Sequence, residues 1–594
     1  MLPFYCLFET IMSESSNTIQ DFWKHISFSV SISLLWFLKS IPILGGEGNW
    51  FVQLWRTFFV TSEPEVLLGE GVDVLGSFWM IHNVKDMMLF RNDTFFEELY
   101  YPVGFDLGMH TGFAWMDAIV SVPLALIMDV PGYYNLHVYL TCVISFFSLT
   151  WLFRSMGLHL YHCFALGTIG YFHAFTFFEI NLGRPTQVTW WPLCWLLGLA
   201  LKQQRLGFTN RDGVMTGFAF ALACLTYWFS AAAMGFTLIL IFCILLFQYT
   251  ETKQALGSVF RSVAVSVGIV VLLTHRVSIP ILLGQYSDDN MLSQVIEPHY
   301  DLVKTSTLNI KMNSLFVVNS FEELVQMIDM SLFHVPLMIF AGICIFLPFN
   351  TKAKLPWSVG MVVSLGYPIA SAIEIGFWRI PTGLFFLEKF FPPMIRCHFM
   401  NRMMVVGHLL ALIVIALTIK DMMDRKRFSK TVRFYLIPMG LVFFSGISFP
   451  ILAKSYSTVF VAKQKSATIL KENPGAVIEI PIDAVNESYV QQIFHQQSLF
   501  WGPGADSIRP PKHVIYQQKH PVIDVLDEMI EAKPSQKASI TKEDLESLYD
   551  DGFRWIVFHQ KDIQNDAILI ENALDTSCQT VVDEGLFLCP ISQK

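Results

Sequence analysis

Apolar runs of roughly the length that crosses a bilayer's hydrocarbon core as a helix, about 17 to 25 residues, recur as far as residue 452. They lie near 27–44, 134–153, 160–179, 188–201, 214–229, 232–248, 258–280, 332–349, 356–376, 401–419 and 434–452. This pattern predicts a polytopic α-helical membrane protein with about 11 spans. One further run, 112–129, holds Asp117 and Pro123 and ends at Asp129-Val130-Pro131-Gly132. A charge, a helix breaker and a turn suit a helix in the outer interface better than a crossing.

Two long stretches interrupt the apolar pattern. The first is the loop 45–111, polar and Gly-rich in its second half. It carries Trp79, Tyr100 and Tyr101 and predicts an amphipathic helix from Val74 to Phe90, features of a segment lying on a membrane surface. The second is the tail, 453–594, whose composition is that of a soluble domain. Ala476–Ile480, Trp555–His559 and Thr580–Leu588 predict strands; Val522–Ala532 and Lys542–Tyr549 predict helices, the latter entered through a capping signal at Thr541. A transmembrane domain, 1–452, followed by an α/β domain, 453–594, is therefore expected. No internal repeat is visible, which argues against a transporter built from repeated halves.

Basic residues set the orientation. The connection 420–433 carries six Lys and Arg, and Lys202, Arg205, Arg211, Lys253, Arg261, Lys352 and Lys354 occupy other short connections, so these should face the cytoplasm. Tracing the spans back places the N-terminus inside and both the first loop and the tail outside. If 112–129 crosses, the N-terminus goes outside and that loop becomes cytoplasmic. No basic n-region or small-residue cleavage site precedes the first span, so no cleaved signal peptide is expected.

Composition narrows the class further. With 53% hydrophobic and 15% charged residues among 594, the chain does not read as a soluble enzyme. The net charge of -9, without a basic stripe, makes no nucleic-acid partner expected. Most of the ten Cys sit in apolar segments as small hydrophobes. The exceptions, Cys578 and Cys589, flank a turn at Asp583-Glu584-Gly585 and can bond if the two arms pair in an oxidising compartment.

Candidate chemistry gathers at the outer side. Asp73 stands where the predicted helix begins, at the positive end of its dipole, a place that suits an anion. It reads either as a helix cap or as a general base or cation ligand. Tyr101-Pro102-Val103-Gly104, with Asp106 and His110, forms an aromatic-flanked turn. Arg184, in a polar link between two spans, reads as a phosphate fork or a snorkelling side chain. His275 and Arg276 interrupt an apolar run, and Arg396, His398 and Arg402 precede a span on the outer side, against the usual charge rule. Binding a lipid-linked phosphate is one reason for basic groups there; packing against the tail is the other. No Ser/His/Asp elbow, P-loop, HExxH or zinc cluster is present in the sequence.

These pieces, in this order, resemble the GT-C superfamily of integral-membrane glycosyltransferases, especially its large bacterial group. The likeness is carried by Gly71-Val72-Asp73-Val74-Leu75-Gly76 with Trp79, then Tyr101-Pro102-Val103-Gly104-Phe105-Asp106-Leu107. Asn181-Leu182-Gly183-Arg184-Pro185-Thr186-Gln187 leading into Trp190-Trp191-Pro192-Leu193, the Arg396–Arg402 segment and the tail opening Val477-Ile478-Glu479-Ile480-Pro481 add to it. The resemblance implies a large first outer loop bearing one acidic catalytic residue, here Asp73. It also implies an inner-membrane location with the tail in the periplasm. The implied donor is a polyprenyl-phosphate-linked sugar, attacked by an acceptor hydroxyl in an inverting transfer with or without a divalent metal ion. Asp73 would be the base, and Arg276, Arg396 or Arg402 would hold the phosphate leaving group. The sequence departs from the group in having Arg184 where His is frequent. A second acid for a metal has only Glu70 and Asp86 as candidates. The rival expectation is a catalytically inactive GT-C-like scaffold, a subunit among other membrane proteins.

Overall fold

The computed structural model describes residues 18–40, 66–69, 72–90, 95–106, 115–126, 132–207, 209–248, 252–284, 335–347, 351–367, 372–375, 378–381, 400–424, 458–461, 463–481, 486–502, 510–531, 540–559, 570–571, 574, 576–581 and 584–592. In chain order the first elements are α1 (Thr18–Ser40), β1 (Val66–Leu68), α2 (Val72–Phe90), β2 (Phe95–Phe96), β3 (Phe105–Asp106), α3 (Trp115–Ala125) and α4 (Gly132–Ser155). Then come α5 (Leu160–Tyr171), α6 (Ala174–Asn181), α7 (Pro185–Val188), α8 (Trp191–Leu206), α9 (Asn210–Gln248) and α10 (Thr252–Gly284). After them follow α11 (Val335–Phe346), α12 (Thr351–Leu365), β4 (Ala372–Ile375), β5 (Trp378–Pro381), a 3-10 turn at Met400–Met403 and α13 (Met404–Asp424). The tail adds β6 (Thr458–Phe460), α14 (Lys465–Glu472), β7 (Ala476–Ile480), α15 (Asn486–His495), α16 (Pro511–Lys519), α17 (Val522–Glu531), α18 (Lys542–Asp550), β8 (Phe553–His559), β9 (Gln579–Val581) and β10 (Leu586–Pro590).

The chain forms two compact units. One holds Met1–Val60, Gly112–Ile279 and Glu297–Ser457; the other holds Thr61–Thr111, Pro280–Ile296 and Thr458–Lys594. The composition break expected near 453 lies outside the described residues. The first loop, though, groups with the tail and not with the helices that flank it in sequence.

The first unit is a helix bundle. Its centre is α13, buried at every position from Val405 to Ile419. A helix apolar all round has no face to give to water, so it takes the middle. At about 1.5 Å per residue its 21 residues match the hydrocarbon core of a bilayer. Among the described residues α4 and α13 are each long and apolar enough to cross as single helices, α9 passes the same measure over its whole length, and the bent pair α5 and α6 would together make a fourth. Elsewhere the outward faces are apolar: Phe247, Phe260, Leu272 and Phe346 are all exposed. Surface of that kind belongs against lipid, and the chain is an integral membrane protein.

Two elements refine the predicted pattern. α9 contains Tyr227 at φ -151° and ψ 92°, outside helical geometry. A Cβ on Gly235 would lie 2.8 Å from the Phe220 ring. On a straight helix those residues would stand about 22 Å apart, so the element folds back at Tyr227 into two arms, matching the separate runs 214–229 and 232–248. α3 has only 11 residues, about 16 Å, too short to cross. The run 434–452 lies outside the described residues.

Side-chain bonds place several helix ends at one level. Arg154, ending α4, bonds Asp21 in the first turn of α1 at 2.6 Å. Lys202, near the end of α8, bonds Asp212 at the start of α9 at 2.8 Å. Lys354, opening α12, donates to Leu347 O just past α11 at 2.9 Å, and Lys420, ending α13, lies against Gly157 just past α4. This end of the bundle is basic. Because α5 leaves it and α13 arrives at it, Glu179, Arg184 and Arg402 stand at the other.

The second unit is α/β. Its sheet runs β7-β8-β10-β9, with β7 parallel to β8 and the other pairings antiparallel. Ile478, Phe500, Leu526, Phe553, Ile556 and Phe587 fill its core. The predicted capping signal is a complete capping box between Thr541 and Asp544. The expected strand Thr580–Leu588 is instead a hairpin, with Leu588 opposite Gln579. That register sets Cys578 beside Cys589, and the two form a disulfide.

The first loop is built into this unit. β1 pairs with β6, and Leu499 N–H donates to Glu98 O at 2.8 Å. Trp79 Nε1 donates to Gln492 Oε1 at 2.9 Å, and Tyr101 Oη donates to Asp551 O at 2.8 Å. The amphipathic surface helix predicted at Val74–Phe90 is corrected here. Val74, Phe78, Trp79, Ile81 and Val84 of α2 are all buried, because apolar residues occur around the whole helix and not along one stripe.

Trp79→Phe keeps an aromatic side chain, though a smaller one, and leaves the buried Gln492 oxygen without its donor. It is expected to destabilise this unit by about 1–3 kcal/mol, read as faster hydrogen exchange at β7 and β8. The unit also carries two histidines held neutral. Burial pushes His495 down to about 3. Burial first, then Lys85, pushes His82 down to about 4, against the opposing pull of Asp86. The unfolded chain takes up these protons near its ordinary value of 6.5 and the native chain does not, so stability is full above that pH and falls as pH drops toward 4. Each histidine contributes a slope of up to about 1.4 kcal/mol per pH unit, and His495→Gln should remove its share from the pH dependence of unfolding.

Candidate functional site

Glu179, Arg184 and Arg402 meet at the end of the first unit remote from its basic rim. The sequence Asn181-Leu182-Gly183-Arg184-Pro185 builds the local geometry. Gly183 N–H donates to Ile180 O at 2.9 Å and Arg184 N–H to Glu179 O at 2.8 Å, the two bonds of a Schellman turn. Gly183 takes φ +72°, which glycine adopts without strain. Pro185 then opens α7 at a position where its missing N–H costs nothing. This turn folds Arg184 back on the last turn of α6, its guanidinium 3.6 Å from the Glu179 carboxylate. Arg402, far along the chain, brings its own guanidinium within 3.8 Å of the other carboxylate oxygen.

Burial makes this cluster consequential. The Glu179 side chain is 2% exposed, whereas Arg184 and Arg402 keep 20% and 13%. Two guanidiniums face one buried carboxylate and both still reach solvent. Such forks suit a phosphate. At the start of α6, His173, Trp190 and His408 pack together, the two imidazole centroids 4.7 Å apart. His408 Nε2 donates to Gly170 O at 2.8 Å, and His173 Nδ1 accepts from Phe175 N–H at 3.2 Å. Both rings are thereby anchored to backbone and act as structural pieces of the turn between α5 and α6.

A second buried polar pair lies in the same unit. His137 Nε2 on α4 and Asp117 Oδ1 on α3 are 2.8 Å apart, with both side chains 1% exposed. It ties α3 to α4. The unexplained Asp in the run 112–129 was its only sequence signal, and His137 gave none.

Asp73 belongs to the second unit. It is the second residue of α2, half-buried in the first turn, so it lies inside the helix and not at its cap. Asp86 lies 2.9 Å from Lys85 and 3.4 Å from His82. It stands about 20 Å along the helix from Asp73, so the two cannot share a metal ion. Among the described residues no group of three His, Cys, Asp or Glu is arranged to hold a metal. Arg276 lies in α10 and Asp106 in β3, with side chains outside the described residues. Glu70, His110, Arg396 and His398 also lie outside them. The exposed His275 holds its Nδ1 2.8 Å from Leu272 O.

No family model matches this chain, and no curated protein matches it by sequence. Among solved structures, the Archaeoglobus fulgidus oligosaccharyltransferase in complex with zinc and sulfate is similar at a TM-score of 0.48 and 13% identity, over 93% of this chain and 69% of its own. The archaeal oligosaccharyltransferase AglB from the same organism, in complex with an inhibitory peptide and a dolichol-phosphate, is similar at 0.43 and 12%, over 94% and 71%. The form tethered to an acceptor peptide scores 0.46 at 12%, over 96% and 74%. A likeness at this level fixes no function.

Glu179→Gln would leave two guanidiniums without their counter-charge. It is expected to cost about 2–4 kcal/mol, below the figure for a fully buried pair because the arginines keep some solvent. The melting temperature of the protein in detergent reads this loss. Adding Arg402→Met should recover part of it, since the cost lies in the unpaired charge.

Proposed function

We propose that this chain is a GT-C-type membrane glycosyltransferase, which moves a sugar from a polyprenyl-phosphate-linked donor to an acceptor hydroxyl at the outer face. The observation that carries the reading is the pair of guanidiniums on Glu179 at the non-basic end of the bundle. Basic side chains on that side run against the positive-inside rule. Two cations with a single carboxylate between them leave charge for an anionic partner, and a lipid-linked phosphate meets both conditions.

In this reading about 11 spans cross the membrane, with the N-terminus cytoplasmic and the tail periplasmic. The Cys578–Cys589 disulfide supports an oxidising compartment for the tail. Asp73 removes the proton from the acceptor hydroxyl, whose oxygen attacks the anomeric carbon as the bond from that carbon to the phosphate oxygen breaks. The departing phosphate gains charge, which Arg184 and Arg402 stabilise, with Arg276, Arg396 and His398 assigned to the same task. Asp106 and His110 are assigned to substrate and lipid-phosphate binding.

Two measurements on the purified protein in nanodiscs test this: binding of a polyprenyl phosphate, and release of that lipid from a polyprenyl-phosphate-linked sugar. Asp73→Asn should lower transfer at least 100-fold and leave binding intact. Arg184→Ala and Arg402→Ala should each weaken binding about tenfold or more. Binding indifferent to both arginines would overturn the assignment. It would point to the rival reading, an inactive scaffold for other membrane subunits.

A further inference from the structure

We infer that the basic end of the bundle carries a second site, which holds the phosphate headgroup of an anionic membrane phospholipid. A cleft of about 350 Å³ opens there between the ends of α4, α8, α9 and α13 and the beginning of α12. Arg205, Lys352 and Lys420 line it, and no acidic side chain does. Its remaining wall is apolar, contributed by Met156, Leu201, Leu245 and Leu417.

The positive-inside rule accounts for basic residues at this end, but not for their convergence on one cleft. The wall is also held in place. Gln204 accepts from Trp357 Nε1 at 2.7 Å and donates to Ala353 O at 3.0 Å, which locks α8 to the first turn of α12. Within two positions of lining residues in sequence stand Leu206, Phe247 and Leu355, which are 71%, 89% and 51% exposed. A cationic cleft with an apolar floor, flanked by bare apolar side chains, matches a phosphate joined to acyl chains. A free phosphate would have no use for the apolar part. The site lies at the end of the bundle remote from Glu179, so it stands whether or not the transferase reading does.

The test is native mass spectrometry of delipidated full-length protein with phosphatidylglycerol, with phosphatidylcholine, and with phosphatidylglycerol plus millimolar inorganic phosphate. Phosphatidylglycerol should bind at least tenfold more tightly than phosphatidylcholine, and inorganic phosphate should not displace it. Arg205→Gln with Lys352→Gln should abolish that preference. Leu245→Trp, which fills the floor and keeps every charge, should weaken binding of both lipids. Equal binding of the two lipids, or an unchanged preference in the double variant, would overturn the site. Displacement by inorganic phosphate would overturn its assignment to a lipid.

Discussion

A charge inside an apolar bundle is stable only when it is paired or reaches water, and this constraint arranges the first unit. It drives Arg154, Lys202, Lys354 and Lys420 to one end, where Arg154 and Lys202 meet carboxylates and Lys354 a backbone carbonyl. It leaves Asp117 and His137 buried only because they face each other at 2.8 Å. It also explains the geometry at Glu179. A carboxylate that deep needs cations, and the Schellman turn at Gly183 supplies one from the same helix end. Arg402 supplies the second from the approach to the central span.

The same constraint gives the two ends of the bundle different chemistry. At the basic rim the cations surround a cleft with an apolar floor. At the other end two guanidiniums face one buried acid while both keep some exposure. The rim cleft is lined by Arg205, Lys352 and Lys420 with no acidic side chain among them, whereas the Glu179 cluster is organised around a carboxylate, with which any anion would have to share the guanidiniums.

The second unit follows a different logic. Its sheet and helices would suffice for a small α/β domain, yet they are completed by residues from the first loop. Trp79 and Tyr101 each spend their polar atom on the tail, at Gln492 and Asp551. Burying an indole and a phenol requires such partners, so loop and tail fold as one body. Asp73 is consequently carried on a helix packed into a core and not on a mobile surface loop.

Much of this was legible in the sequence. The capping box at Thr541, the turn at Gly183-Arg184-Pro185, the short helix at 115–125 and the pairing of Cys578 with Cys589 all follow from residues near one another in the chain. Local propensity, turn chemistry and apolar period act over a few positions, and those positions were in view. The helix at 72–90 differs from the amphipathic surface helix its sequence predicts because its apolar residues surround it, and only packing supplies a partner for every face. The meeting of Glu179 with Arg402, of Asp117 with His137 and of Trp79 with Gln492 has no local signature. The chain alone determined where helices run and which end of the bundle is basic. Tertiary packing decided which distant side chains share a buried charge, because that choice depends on the burial each one reaches and on the partner within a few ångströms of it.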